Sequence, residues 1–109
     1  MIKLIVKNEK LLGIKMLDRC NREYLKLVKK NTTLRRWVEN ILGELRSRPY
    51  MGEKLFSNFP GCRAIHFSGN SYRIIYRIIE HPVSEILILE IGHRNSSYTD
   101  LARILEKGK

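Results

Sequence analysis

Apolar residues recur along this chain with two different periods, and the change of period marks its parts. Leu34, Trp37, Val38, Ile41, Leu42 and Leu45 fall three and four apart, which predicts a helix with one buried stripe that includes Trp37. Its other side carries Arg35, Arg36, Glu39, Arg46 and Arg48, and Pro49 ends it. Upstream, Asn21 reads as an N-cap with Glu23 in the first turn, followed by a stripe of Tyr24, Leu25, Leu27 and Val28. Asn31-Thr32-Thr33 ends that helix and caps the next, so the two are expected to form an antiparallel helical hairpin. Ahead of them, Ile2–Lys7 and Gly13–Cys20 are strand candidates.

Beyond the helices the period shortens to two. Tyr50–Pro60 reads as a loop punctuated by Gly52 and Pro60. Arg63–Phe67, Tyr72–Glu80 and Glu85–Ile91 then read as strands, joined by a tight turn at Ser68-Gly69-Asn70-Ser71 and a second at His81-Pro82. Tyr98–Glu106 is expected to form a last short helix, with Leu101, Ile104 and Leu105 on one side. The order of elements predicts an α+β fold in one domain over residues 1–109. Its sheet is antiparallel and twisted, of about four strands, with the helical hairpin on one face and a short C-terminal helix. Residues 1–12 are either an extra edge strand or an extension ahead of an alternative start at Met16.

Alternation sorts the strand residues into faces. Tyr72, Ile74, Tyr76 and Ile78 share one face of the middle strand; Arg73, Ile75, Arg77 and Ile79 share the other. In the preceding strand, Arg63, Ile65 and Phe67 point one way and Ala64 and His66 the other. Helices covering the Phe67/Ile65 and Tyr72/Ile74 side leave His66 and Arg73 together on an uncovered, basic, half-apolar face.

Composition narrows the classes. The chain is 43% hydrophobic, enough for one core. Lys and Arg number 21 against 11 Asp and Glu, a net charge of +10 spread over the whole length, which favours a polyanionic partner. No run approaches the roughly 18 apolar residues of a membrane span. The opening MIKLIVKNEKLLGIKM is too often interrupted by charge for a secretory signal, so a cytoplasmic protein without membrane contact is expected. Cys20 and Cys62 are the sole cysteines and form no C-x-x-C pair, which argues against a disulfide framework or a zinc knuckle and for thiols in a reducing cytosol. No Gly-rich phosphate loop, repeat or low-complexity stretch is present, and neither a metal nor a cofactor is expected.

The stretch from Lys54 to Leu101 resembles the RelE/ParE superfamily of toxins from toxin–antitoxin modules, and most closely its RelE branch. The resemblance rests on a helical hairpin ending in Pro49, the pair Lys54-Leu55, the run S-Y-R-I-I-Y-R at Ser71–Arg77, and I-G-H-R-x-x-x-Y from Ile91 to Tyr98. It implies a ribosome-dependent endoribonuclease that cuts mRNA and stops translation. It also implies a cognate RelB-like antitoxin with an acidic segment, and a toxin–antitoxin heterotetramer is one form of that complex. Carried over by position, the functional residues are Arg73, Arg94 and Tyr98; two strand positions that are Lys in some members fall on Ala64 and His66, and His93 stands where members vary between Lys and His. The alternative is a ParE-like toxin of the same fold that inhibits DNA gyrase without cutting RNA.

The residue types suit metal-free RNA cleavage, in which the substrate's 2′-OH is the nucleophile. Arg73 and Arg94 are candidates to stabilise phosphorane charge, because guanidinium grips phosphate with paired hydrogen bonds. His66 is a candidate for proton exchange near neutrality, as is His93. Tyr98 is a candidate to stack a base, hold a phosphate or act as a base. Lys54, Arg63, Arg77 and His93 are candidate RNA contacts, Arg63 from the opposite face by parity. The plainer readings are solvent-facing charges for Arg73, Arg77 and Lys54, a covering strand residue for His66, a turn for His93, a rim Arg for Arg63, and packing for Tyr98. No convincing carboxylate pair is evident in the sequence.

Overall fold

A computed structural model describes residues 11–55 and 60–93. The elements are β1 (Gly13–Met16), α1 (Asp18–Val28), α2 (Thr32–Ser47), β2 (Glu53–Lys54), β3 (Cys62–Phe67), β4 (Tyr72–Ile79) and β5 (Glu85–His93). They make a five-stranded sheet in the order β1-β5-β4-β3-β2. β2, β3, β4 and β5 are antiparallel neighbours, whereas β1 lies parallel to β5, Gly13 opposite Glu85 and Met16 opposite Ile88. The sheet is therefore mixed rather than purely antiparallel, with one strand more than expected. The Ile2–Lys7 strand and the Tyr98–Glu106 helix lie outside the described residues.

Strand and helix meet abruptly at Leu17. Its N–H donates to the Ile88 carbonyl at 3.2 Å, completing the sheet, while its own carbonyl accepts from the Asn21 N–H at 2.8 Å, starting α1. α1 thus begins at Asp18, three residues before the expected Asn21 cap, and Asp18 supplies the first-turn negative charge expected of Glu23. The earlier start turns Cys20 into the core beside the stripe of Tyr24, Leu27 and Val28. Burial pushes the Cys20 thiol up from 9.0 to about 12.

α2 starts as its sequence predicts. The Asn31 side chain accepts from the Leu34 N–H at 3.0 Å, satisfying one of the otherwise unpaired donors of the first turn. Leu34, Val38, Ile41 and Leu45 are buried against Phe67, Ile74, Tyr76, Ile86, Ile88 and Ile91. Trp37 is not in that core. It is 47% exposed, at the edge of the stripe, with its ring 6.4 Å from that of Phe67.

β4 is the centre of the sheet. Ser68, Gly69 and Asn70 take φ of 54°, 64° and 68°, and the Ser71 N–H closes the turn onto the Ser68 carbonyl at 3.1 Å. Pairing then runs regularly from Phe67↔Tyr72 to Cys62↔Arg77. Between β4 and β5 the register slips, since Ile75 faces Glu90 but Tyr76 faces Ile88. Leu89 is the extra residue of a β-bulge. The bulge lets Ile86, Ile88 and Ile91 all reach the helix side although their numbers differ in parity, and sends Leu89 to the other side. There Cys62, Ala64, Ile75 and Leu89 form a second buried cluster with Leu55 and Leu87. The face opposite the helices is accordingly not bare at its middle.

The segment before β2 is tied to the sheet by a buried phenol. Tyr76 Oη donates to the Pro49 carbonyl at 2.7 Å and accepts from the Gly52 N–H at 2.9 Å. A Cβ on Gly52 would lie 2.7 Å from that oxygen and 3.0 Å from the Ala64 carbonyl, so glycine permits the approach.

Tyr76→Phe leaves a buried Gly52 N–H without its acceptor. The expected cost is about 1–3 kcal/mol, measured as a lower urea midpoint. The raised Cys20 pKa also has a signed consequence. The unfolded thiol ionises near 9.0, while the folded one holds its proton to about 12. Stability from the neutral thiol is therefore complete below that lower value and declines as pH rises toward the upper one. Urea titrations across this alkaline range are expected to show the decline in the native protein and a smaller one in Cys20→Ala.

Candidate active site

The face opposite the helices presents its residues in rows set by strand register. Glu53, Ala64, Ile75 and Glu90 make one row; His66, Arg73 and Gly92 make the next; Cys62, Arg77 and Leu87 lie to the other side of the first. His66 and Arg73 are direct cross-strand partners, as alternation predicts.

Their environments differ sharply. Arg73 is 3% exposed, and its Nε donates to Glu90 Oε1 at 2.8 Å; the Glu90 side chain is 16% exposed. Arg73 is thus no ordinary solvent-facing charge but half of a buried ion pair between β4 and β5. Such a pair fixes the plane of the guanidinium, because a charge-assisted bond at Nε orients the whole fork. His66 is exposed and lines a cleft of about 270 Å³ together with Glu53, Asn70, Ala64 and Met51. Arg77 lies further along the same face, where Nη2 donates to the Pro60 carbonyl at 3.1 Å. Burial pushes the neighbouring Cys62 thiol up, against the pull of the Arg77 guanidinium.

Three other candidates stand apart from this face. Arg63 is on the helix side, where Nη1 donates to the Gly52 carbonyl at 2.7 Å and the Tyr50 carbonyl at 3.2 Å, with the guanidinium 5.0 Å above the Tyr50 ring. Lys54, opposite Arg63, is exposed at the mouth of a second cleft of about 390 Å³ that also involves Tyr50, Ile78 and Glu80. His93 is paired with Tyr72, whose ring it meets edge-on at 5.5 Å, while Tyr72 stacks on Phe67 at 5.8 Å. This aromatic row belongs to the helix side, so His93 and His66 lie on opposite sides of the sheet. Arg94 and Tyr98 lie outside the described residues.

Two carboxylates escape a reading by residue type alone. Glu90 is the one charged residue in the apolar run Ile86–Ile91, a local signal that a strand residue there has a polar partner. The bulge at Leu89 hides its face from simple alternation. Glu53 sits in a strand of two residues, too short to show any period.

The described residues thus form an α+β architecture, a mixed sheet carrying two helices on one side with charged residues of three strands aligned on the other. Residues 14–98 match the family model of the ParE toxin of type II toxin–antitoxin systems, parDE, and the chain belongs to that family. It is the toxin component of such a module. No curated protein sequence matches it. Among solved structures, it is similar to a double Arg-to-Ala mutant of the E. coli toxin RelE in the free state (19% identity, 88% of this chain and 97% of that one, TM-score 0.68). It is also similar to the isolated E. coli RelE toxin (19%, 88% and 98%, TM-score 0.63). A third similar structure is the same mutant in complex with a RelBc antitoxin peptide (18%, 91% and 95%, TM-score 0.60). Among the described residues, no helix is long and apolar enough to cross a membrane.

Because Arg73 is buried against Glu90, removing one partner strands the other's charge. Arg73→Ala is expected to cost about 3–5 kcal/mol, and the double variant Arg73→Met/Glu90→Leu to recover most of that loss. Thermal melts of the single and double variants check this.

Proposed function

We propose that this toxin is a metal-independent, ribosome-dependent endoribonuclease that halts translation in the cytoplasm by cutting mRNA. The observation that supports this most is the juxtaposition of His66 with Arg73 on the face the helices leave uncovered. An exposed imidazole stands beside a guanidinium whose plane is fixed by Glu90. In this reading Arg94 and Tyr98 complete the site from the segment after β5, as the superfamily resemblance implies. The net charge of +10 favours attraction to ribosomal and messenger RNA, with Lys54, Arg63, Arg77 and His93 as further basic contacts around the sheet. Cleavage proceeds by attack of the 2′-oxygen on the adjacent phosphorus. The cognate antitoxin carries an acidic segment that folds as it covers the basic toxin, in a heterotetramer. The RelE–RelBc peptide complex is a precedent for that partner among similar folds.

A second reading has its own support. The Arg73–Glu90 pair neutralises and buries the guanidinium that a nuclease would turn toward phosphate, and the matching family model is described as ParE. On that reading the toxin inhibits DNA gyrase and cuts no RNA.

Adding the toxin to a translating extract separates the two. The ribonuclease reading expects new mRNA 5′ ends within ribosome-covered regions and unaffected supercoiling by purified gyrase. Blocked supercoiling with no new ends would establish the second reading instead.

A further inference from the structure

β2 is two residues long, yet the residues on either side of it are tied to the sheet by several hydrogen bonds. A pair of residues brings little cross-strand energy of its own. The fixing comes from two side chains on the helix side and from the backbone of the sheet edge itself. Tyr76 Oη bonds Pro49 and Gly52, Arg63 Nη1 bonds Tyr50 and Gly52, and the Leu55 N–H donates to the Cys62 carbonyl at 3.0 Å. What this anchoring holds in place is Glu53. It lies opposite Ala64, on the uncovered face, one step diagonally from His66. Both side chains are exposed and both line the cleft of about 270 Å³. Diagonal neighbours in an antiparallel pair are separated by roughly 7–8 Å, a gap that a phosphodiester can occupy with one group on each side. Arg73 flanks His66 on the other side, and Glu90 lies beyond it.

Resting on the ribonuclease reading, we propose that Glu53 and His66 are the proton-transfer pair of the cleavage, with Tyr76 and Arg63 as positioning residues that hold Glu53 in place. The Glu53 carboxylate takes the 2′-OH proton as the 2′-oxygen bonds to phosphorus. The bond from phosphorus to the 5′-oxygen breaks, and the His66 imidazolium gives its proton to that oxygen. The products are a 2′,3′-cyclic phosphate and a free 5′-OH, with Glu53 left protonated and His66 neutral. The pair supplies the base and the acid that the reaction needs.

The test uses single-turnover cleavage of ribosome-bound mRNA at the mapped cut site. Glu53→Gln and His66→Ala are each expected to slow cleavage by about 10²–10⁴-fold without weakening ribosome binding, and Glu53→Asp to restore part of the first loss. A second substrate carries sulfur in place of the bridging 5′-oxygen. Its thiolate leaves without a proton, so His66→Ala is expected to cut it at nearly the native rate while Glu53→Gln stays slow. Tyr76→Phe, assayed below its melting temperature, is expected to slow the native protein but add nothing to Glu53→Gln. Native-like cleavage by Glu53→Gln, or sulfur rescue of both variants or of neither, would overturn the pair while leaving the nuclease reading intact. An uncut mRNA with the native toxin would overturn both.

Discussion

The fold is organised by one constraint, a central strand that is buried on both sides. β4 presents Ile74 and Tyr76 to the helices and Arg73 and Ile75 to the opposite cluster, and none of the four is appreciably exposed. An antiparallel strand commonly keeps one wet face. Here both sides are lined with apolar side chains, so each polar group that β4 carries inward must find its partner within the protein. The Tyr76 hydroxyl finds two backbone groups of the segment leading to β2, and Arg73 finds Glu90. Burial of the phenol raises its pKa, with Gly52 and Arg63 acting the other way. These two inward polar groups join the neighbouring elements to β4, one on each side of the sheet.

Much of this was legible in the sequence, for identifiable reasons. The α2 stripe repeats often enough for its period to be unambiguous, and Asn31 carries its capping chemistry in its own side chain. The β3–β4 turn follows from residues that accept positive φ, and alternation along β3 and β4 places His66 and Arg73 together because their register is unbroken. The rest depended on tertiary contacts. α1 starts early because Leu17 bonds to β5, a contact between distant parts of the chain. Trp37 lies within the helical spacing of the stripe but at its edge, where the sheet ends. Glu90 is displaced from simple parity by a single bulged residue, and β2 is too short to have a pattern.

The candidate site shows the same division. Residue chemistry pointed to His, Arg and Lys; Arg63 lies on the helix side as its parity predicts, but Lys54 and His93 also lie on that side or its rim. Arg63 serves the backbone of the 50–52 segment rather than the uncovered face. A shared fold says little about which reaction a toxin of this superfamily performs, because the activity resides in a few side chains on a common sheet. On the uncovered face of this chain two acids, Glu53 and Glu90, stand among the expected basic residues.

The parallel pairing of β1 with β5 bears on how the protein emerges during synthesis. Gly13 needs Glu85 as its neighbour, so the first described strand has no ladder to join until nearly all of the domain has been translated. Contacts of such long sequence separation form late and slowly. A partly made chain has helices with an apolar stripe and no sheet to cover it, and the rows of the uncovered face are not yet assembled. The sheet edge at β1 and the rows of the uncovered face are therefore completed together, once β5 has emerged.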